Sequence, residues 1–331
     1  MRCQLRYTPI YLVRKEYNAN RPTRQMDKIR IFLMSRNSSR FFLFMLLFGF
    51  VGAACSPVLA LPLPKTATPE RLPTASAIPS PSPSPVPATA TATVVATCSE
   101  TTGSLETGVI DTGMLATPMR YKVYLPPCYT FNKNKHYPVL YLLHGQGSTE
   151  DQWIRIGAAE TADQLMASGD IPPFIIVFPF DYSYKQPPEY SFEDVFVQML
   201  IPKIDSNYRT LSVAKYRAIG GLSRGGAWAL HIGALHPNLF GTIGGHSPAI
   251  FYADDKSLPR NLLAIPAGML PRIWLDAGDK DSEYSVVAPF EEFLSKNGIP
   301  HEWHVYIGWH NEEYWSAHMI RYLSWYAQAW K

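Results

Sequence analysis

Short apolar runs alternate with longer amphipathic stretches over residues 98–331. The apolar runs have strand length, and they fall near residues 104–111, 120–125, 138–143, 174–178, 216–220, 242–246, 272–277 and 302–307. The amphipathic stretches have helical spacing, and they fall near residues 160–168, 193–205, 226–235, 285–296 and 312–329. From the third run onward strands alternate with helices, which predicts an α/β fold with a mostly parallel, doubly wound sheet of about eight strands.

The first 97 residues follow a different pattern. Residues 41–54 form an apolar run behind Arg36 and Arg40, which is too short to span a membrane comfortably and is typical of a signal-peptide core. Residues 62–97 are rich in Pro, Thr, Ala and Ser and contain no aromatic residue, so we expect an extended tether. The predicted organisation is a leader extension upstream of a start at Met34, a signal peptide, a tether and one domain, at residues 1–33, 34–60, 61–97 and 98–331.

The end of the predicted signal peptide leaves two outcomes open. Gly52-Ala53-Ala54-Cys55 resembles a bacterial lipobox, in which Cys55 would be lipidated and become the first residue. Cleavage after Ala60 would instead release a soluble protein. We therefore expect an extracytoplasmic, surface-anchored lipoprotein that meets the membrane only through its lipid, with a secreted form as the alternative.

Charge and cysteine usage narrow the classes of partner. Residues 1–40 hold ten Lys or Arg against two Asp or Glu, whereas residues 98–331 hold 18 against 24, so nucleic-acid binding by a basic surface is not indicated. Cys98 and Cys128 form an even pair in an exported domain, which predicts a disulfide. The sequence has no CxxC or HExxH motif, and we expect neither a metal nor a cofactor.

Candidate chemistry centres on Ser223. It is the middle residue of Gly221-Leu222-Ser223-Arg224-Gly225, a Gly-x-Ser-x-Gly motif between a predicted strand and a predicted helix. In that setting the serine stands on a sharp turn, and glycines two residues to either side avoid clashes with neighbouring chain. This pattern predicts a nucleophilic serine at the edge of a parallel sheet.

A nucleophilic serine needs a base, and the base needs an acid to orient it. In sheet hydrolases the acid and then the histidine follow the serine in the chain. His310 follows the last predicted strand, and it is the expected base. Asp281 is favoured as the acid over Asp279, which suits a turn cap, and over Asp276, which lies inside a strand.

The negative oxygen of an acyl-transfer intermediate needs backbone N–H donors. One donor is expected from Arg224, the residue after the nucleophile. The other is expected from the glycine-rich stretch 144–148, which follows a buried strand. Gln146 is assigned to this role, with Gly147 as the competitor.

These motifs belong to a longer stretch of the chain that resembles a known protein family. Residues 98–331 resemble the esterase D family of α/β-hydrolases, which includes feruloyl and acetylxylan esterases, enterochelin esterases, S-formylglutathione hydrolases and mycolyltransferases. The matching stretches are YKVYLPPCY, YPVLYLLHGQGSTEDQW, LIPKIDSNYRT, AIGGLSRGGAWAL, WLDAGDKDSEY and YIGWHNEEYW. The resemblance implies an α/β-hydrolase fold and a Ser223, His310 and Asp281 triad beside the oxyanion loop HGQGS.

Substrate choice is expected to come from two long connections, residues 179–192 and 247–271. Aromatic side chains with polar tips suit sugar faces and aromatic acyl groups. Trp309, Trp153 and Tyr182 are the predicted substrate contacts, and Trp315 adds a further ring. The predicted function is an exported serine esterase acting on feruloyl- or acetyl-type esters of carbohydrate. The alternatives are an acyltransferase of the mycolyltransferase type and a non-catalytic binding module.

Overall fold

A computed structural model describes residues 97–331, which lie within one compact unit. An eight-stranded sheet with the order β1-β2-β4-β3-β5-β6-β7-β8 forms its centre. The strands are β1 Ser104–Ile110, β2 Met119–Leu125, β3 Val139–Leu143, β4 Ile175–Pro179, β5 Arg217–Leu222, β6 Thr242–His246, β7 Arg272–Gly278 and β8 Glu302–Tyr306. Strand β2 pairs antiparallel with β1 and β4, and every other pairing is parallel. This confirms the predicted fold class.

Helices cover both faces of the sheet. They are α1 Gln152–Arg155, α2 Ala158–Ala167, α3 Phe192–Val195, α4 Ile201–Asn207, α5 Arg224–Leu235, α6 Ser257–Ala264, α7 Tyr284–Lys296, α8 Glu312–Ala317 and α9 Met319–Gln328. Alternate residues of the central strands enter two separate apolar cores. Helices α3 to α7 close one core, and α1, α2, α8 and α9 close the other. Because both faces are covered, strands β3 to β6 are buried along their whole length.

The observed helices differ from the predicted ones at the short helix α1, which the pattern did not predict, and in three further places. The helix expected over 193–205 contains a π-helical turn, Phe196–Leu200, just before Pro202, which has no N–H to bond the preceding turn. The helix expected over 312–329 breaks at His318, whose ring bonds the Tyr314 carbonyl and so competes with the helical backbone. The connection 247–271, expected to be a loop, contains α6, whose apolar Leu258 and Leu262 are buried one turn apart.

Of the features predicted for the N-terminal part of the chain, the structure describes only the disulfide. Cys98 and Cys128 are joined in a disulfide that ties the start of the domain to the turn after β2. The leader extension, the signal peptide with its lipidation candidate Cys55, and the tether up to residue 96 lie outside the described residues. Within 97–331, no helix is long and apolar enough to cross a membrane.

A buried polar network is centred on Asp276, near the carboxyl end of β7. The Asp276 carboxylate accepts hydrogen bonds from the His246 ring at 2.7 Å and from Trp274, Tyr314 and Tyr322. Four donors meet the hydrogen-bonding needs of a carboxylate that has no exposed surface. The Tyr326 hydroxyl lies 3.0 Å from the other ring nitrogen of His246 and extends the network towards the middle of the sheet.

Replacement of Gly244 by alanine tests how tightly this network is packed. A Cβ at Gly244 would lie 1.8 Å from the Tyr326 hydroxyl oxygen, so the buried tyrosine must shift. We expect Gly244→Ala to lower the free energy of unfolding in urea by about 1–3 kcal/mol or more. Gly268→Ala is the matched control, because a Cβ there meets nothing within 4 Å, and it should stay within about 0.5 kcal/mol of wild type. Equal stabilities of the two variants would contradict this packing.

Candidate active site

Ser223 stands on a strained turn between β5 and α5. Its backbone has φ 54° and ψ −122°, a region that L-residues rarely adopt. A Cβ at Gly221 would come within 2.2 Å of the Gly225 backbone, and one at Gly225 within 2.1 Å of the Leu143 carbonyl oxygen. Both flanking positions therefore require glycine, which agrees with the steric argument from the motif.

The structure brings Ser223, His310 and Asp281 into one hydrogen-bonded chain. The Ser223 Oγ lies 2.8 Å from His310 Nε2, and His310 Nδ1 lies 2.8 Å from Asp281 Oδ1. In the neutral imidazole, Nδ1 donates to the carboxylate and Nε2 accepts from the serine hydroxyl. This arrangement can take a proton from the serine as it attacks a carbonyl carbon.

The three candidate acids have separate surroundings. Burial acts to raise the pKa of Asp281, but hydrogen bonds led by that from His310 hold this pKa below its ordinary value, so the carboxylate stays charged. The Glu283 amide also donates to Asp281, at 2.7 Å. Asp279 accepts a hydrogen bond from the Gly308 N–H at 2.9 Å. This bond stabilises the turn before His310, as expected of a turn cap. Asp276 belongs to the buried network and does not reach His310.

Trp315 holds the imidazole from one side. Its ring meets the His310 ring edge to face at 5.0 Å, and its indole N–H donates to Ser247 at 3.3 Å. Trp315 is 4% exposed, so it supports the histidine and has little surface left for a substrate. Ser247 is fully buried with φ 48° at the end of β6, another strained residue close to the nucleophile.

The glycine-rich segment 144–148 lies beside the nucleophile. A Cβ at Gly145 would be 3.5 Å from the Ser223 Cβ. The Gly145 N–H donates to Gln152 Oε1 at 2.8 Å, and Gln152 Nε2 donates to Glu312 at 3.0 Å, two residues after His310. Gln152 therefore fixes the spacing between this segment and the histidine turn, a role that the sequence pattern did not reveal.

Gln146 and Arg224 remain the candidate oxyanion donors. Among residues 97–331, neither of their backbone N–H groups has a hydrogen-bond acceptor. Arg224 is the first residue of α5, where free N–H groups and the helix dipole favour negative charge. The two N–H groups belong to segments that flank the Ser223 side chain, as an oxyanion site requires.

The Arg224 side chain holds the 179–192 connection in place. Its guanidinium bonds Asp181 Oδ2 at 2.6 Å and the Lys185 carbonyl at 2.5 Å, and the Trp228 N–H also reaches Asp181, at 2.8 Å. The Asp181 N–H donates to His144 Nε2 at 2.9 Å, so His144 carries its proton on Nδ1 and donates it to the Gly145 carbonyl. Burial lowers the pKa of His144, which favours this neutral form. The connection is thus fixed to both candidate oxyanion segments.

A cleft of about 770 Å³ opens beside the glycine-rich segment. Gln146 and Gly147 line it together with Tyr182, Tyr190 and Met114. Tyr182 is 57% exposed and lines the cleft, and its predicted contact with substrate stays a prediction.

The two predicted tryptophan contacts lie elsewhere. Trp153 as a substrate contact is wrong: it is 1% exposed, its N–H donates to the Leu143 carbonyl, and its ring packs against His246 in the core. Trp309 is 60% exposed next to His310, with the Lys280 ammonium over its ring, and it does not line the cleft. Its contact with substrate stays a prediction.

One group of side chains within the described part of the chain has spacing suited to a metal ion. It consists of Cys98, Glu100 and Cys128. The two sulfurs are already joined to each other, so they have no thiolate to offer a metal.

The sheet order and the serine-histidine-aspartate chain define an α/β-hydrolase. A model of the Esterase family, described as "Putative esterase", matches residues 112–326. The chain belongs to this family, which confirms the resemblance to esterase D relatives.

Curated relatives share this region. An endo-1,4-beta-xylanase/feruloyl esterase of Xylanibacter ruminicola is 32% identical in an alignment of length 216 that covers 62% of this chain and 28% of that protein. An esterase of Mycobacterium tuberculosis is 30% identical in an alignment of length 244 that covers 57% of this chain and 51% of that protein. The chain therefore spans about a quarter to about half the length of these relatives.

Solved structures give the same fold. A ferulic acid esterase is similar with a TM-score of 0.63 and 27% identity, over 69% of this chain and 99% of that one. A ferulic acid esterase of Anaeromyces mucronatus, solved with ferulic acid, is similar with a TM-score of 0.59 and 22% identity, over 69% of this chain and 92% of that one. Because its identity is only 22%, the second structure supports the assignment of the fold alone.

Substitution of the two nearby aspartates separates the triad acid from the turn cap. We expect Asp281→Asn to lower kcat by about 10⁴, because the amide no longer holds the imidazole with its proton on Nδ1. Asp279→Asn should cost far less, since the amide oxygen can still accept the Gly308 N–H. Steady-state kinetics with p-nitrophenyl acetate measure both. A larger loss in Asp279→Asn would move the acid role to Asp279.

Proposed function

We propose that this protein is a serine carboxylic ester hydrolase that removes feruloyl- or acetyl-type groups from carbohydrate. The observation that carries the proposal is the chain from Ser223 through His310 to Asp281, with 2.8 Å at each step, at the carboxyl edge of the sheet. Family membership supports the same class of reaction. A non-catalytic module would have no use for this geometry.

The reaction follows from the positions of these groups. His310 takes the Ser223 proton while Oγ attacks the ester carbonyl, and Asp281 stabilises the imidazolium that forms. The Gln146 and Arg224 N–H groups hold the negative oxygen. His310 then gives the proton to the departing alcohol, which leaves an acyl group on Ser223. Water attacks this ester by the same route and releases the acid.

The substrate class rests on the cleft and on the relatives. The relative from Xylanibacter ruminicola is named as an endo-1,4-beta-xylanase/feruloyl esterase, and the solved structure of 27% identity is named as a ferulic acid esterase. The cleft beside Gln146 carries the tyrosines Tyr182 and Tyr190, and such rings pack well against aromatic acyl groups and sugar faces. An ester of a plant polysaccharide fits both observations.

Loss of the serine hydroxyl tests the proposed reaction. The purified protein should hydrolyse methyl ferulate or acetylated xylan, and Ser223→Ala should lower kcat by about 10⁶, because triad members act as a unit. Circular dichroism of the variant controls for folding. A folded Ser223→Ala protein with more than a few per cent of wild-type activity would contradict the assignment. Product analysis with an added alcohol separates hydrolysis from acyl transfer, the alternative reaction.

We also propose that the enzyme is exported and held at the cell surface by a lipid on Cys55. The support is the short apolar run at 41–54, the small residues before Cys55, and a proline-rich tether long enough to hold the domain away from a surface. Release after Ala60 is the competing outcome.

Labelled palmitate tests the anchor. The label should appear on the wild-type protein expressed in a bacterial host and disappear in Cys55→Ala, since the thioether is the point of attachment. Cys3→Ala is the control, because Cys3 lies in the predicted leader extension and should leave labelling intact. An unlabelled protein whose N-terminus is Leu61 would instead establish the secreted form.

A further inference from the structure

A second groove runs beside the cleft and is separated from it by Tyr184. Its volume is about 600 Å³, and its lining includes the two tyrosines Tyr184 and Tyr252 together with Gln186 and Pro188. Tyr184 is 74% exposed and Tyr252 is 88% exposed. Tyr184, Lys185 and Glu189 line both the groove and the cleft, so the two spaces adjoin at this segment.

The walls of this groove are fixed to the residue after the nucleophile. The Arg224 guanidinium bonds the Lys185 carbonyl and lies over the Phe251 ring at 5.2 Å, directly before Tyr252. The Ala253 N–H donates to Gln186 Oε1 at 3.4 Å and joins the two walls directly. One buried cation therefore sets the position of both loops relative to Ser223.

The chemistry of the groove suits sugars. Rings as exposed as Tyr184 and Tyr252 contribute little to the core, and both line the same groove, where their faces are available to a ligand. Their flat apolar faces can pack on the C–H face of a pyranose, while the hydroxyls and the Lys185, Gln186 and Glu189 side chains can hydrogen-bond sugar hydroxyls. The groove is open to solvent, as a site for part of a polymer must be.

We propose that this groove binds the unesterified sugar residues next to the acylated one in a polysaccharide substrate. This inference rests on the proposed function, because it places the alcohol side of the same ester. The acyl group would occupy the cleft beside Gln146, and the glycan would continue past Tyr184 to Tyr252. Tyr252 would then be a specificity-determining residue that discriminates polymeric from small esters.

Kinetics on a matched pair of esters test the groove. For the full-length protein we compare kcat/KM on a feruloylated arabinoxylo-oligosaccharide with kcat/KM on methyl ferulate. Tyr252→Ala should lower the ratio of the two values about tenfold, the loss typical of one apolar contact. Tyr252→Phe should keep most of the ratio because the ring is retained. Phe131→Ala is the control: Phe131 is an exposed aromatic, 48% exposed, after β2 at the opposite edge of the sheet, and its loss should leave the ratio unchanged.

The outcomes distinguish the two proposals. A wild-type protein that hydrolyses neither ester would contradict the proposed function itself. A wild-type protein that hydrolyses both, with the same ratio in Tyr252→Ala, would overturn the groove alone. Calorimetric titration of the Ser223→Ala protein with unesterified xylohexaose gives an independent readout. If Tyr252→Ala, added to Ser223→Ala, abolishes the heat of binding, the result supports glycan binding in the groove. Binding of the same strength in the double variant contradicts it.

Discussion

The backbone of Ser223 has a positive φ of 54°, and the neighbouring chain holds it in that conformation. The Ser223 N–H donates to the His246 carbonyl, and its own carbonyl accepts from Ala227 and Ala249. Strain of this kind costs about 1–3 kcal/mol and persists only where surrounding structure enforces it. The glycines at 221 and 225, the end of β6 and the start of α5 all meet at this turn. In this conformation the Ser223 Oγ lies 2.8 Å from His310 Nε2.

Parallel strands supply the remaining groups at the same edge. Segments after β3, β7 and β8 bring the glycine-rich loop, Asp281 and His310 close to Ser223, since the carboxyl ends of parallel strands lie together. Arg224 has two separate roles, one for its backbone and one for its side chain. Its backbone N–H is a candidate oxyanion donor, while its guanidinium pairs with the buried Asp181 carboxylate and fixes the loop that lines the cleft. Removal of either partner would leave the other charge buried and unpaired, which is costly. The Arg224–Asp181 pair therefore keeps the loop in a fixed position relative to Ser223.

The sequence predicted the parts of the site that depend on local pattern. The glycines around Ser223 predict its position on a sharp turn. The order of Asp281 and His310 after predicted strands places both at the same edge of the sheet. The sequence could not predict contacts between distant residues, such as Gln152 with Glu312 or Arg224 with Asp181, because spacing along the chain carries no information about them. Trp153 was misassigned because an aromatic residue near a glycine-rich loop has no periodic pattern to reveal its face. It lies on the short helix α1, which turns the ring into the core.

The central claim is that Ser223 carries the acyl group during turnover, and covalent labelling tests it most directly. The active protein is treated with a fluorophosphonate, which phosphonylates an activated serine, and the modified residue is mapped by peptide mass spectrometry. We expect one adduct, on the tryptic peptide Ala218–Arg224, and loss of activity in step with its formation. Full inactivation with the adduct on another residue, or an active protein that takes up no label, would contradict the account.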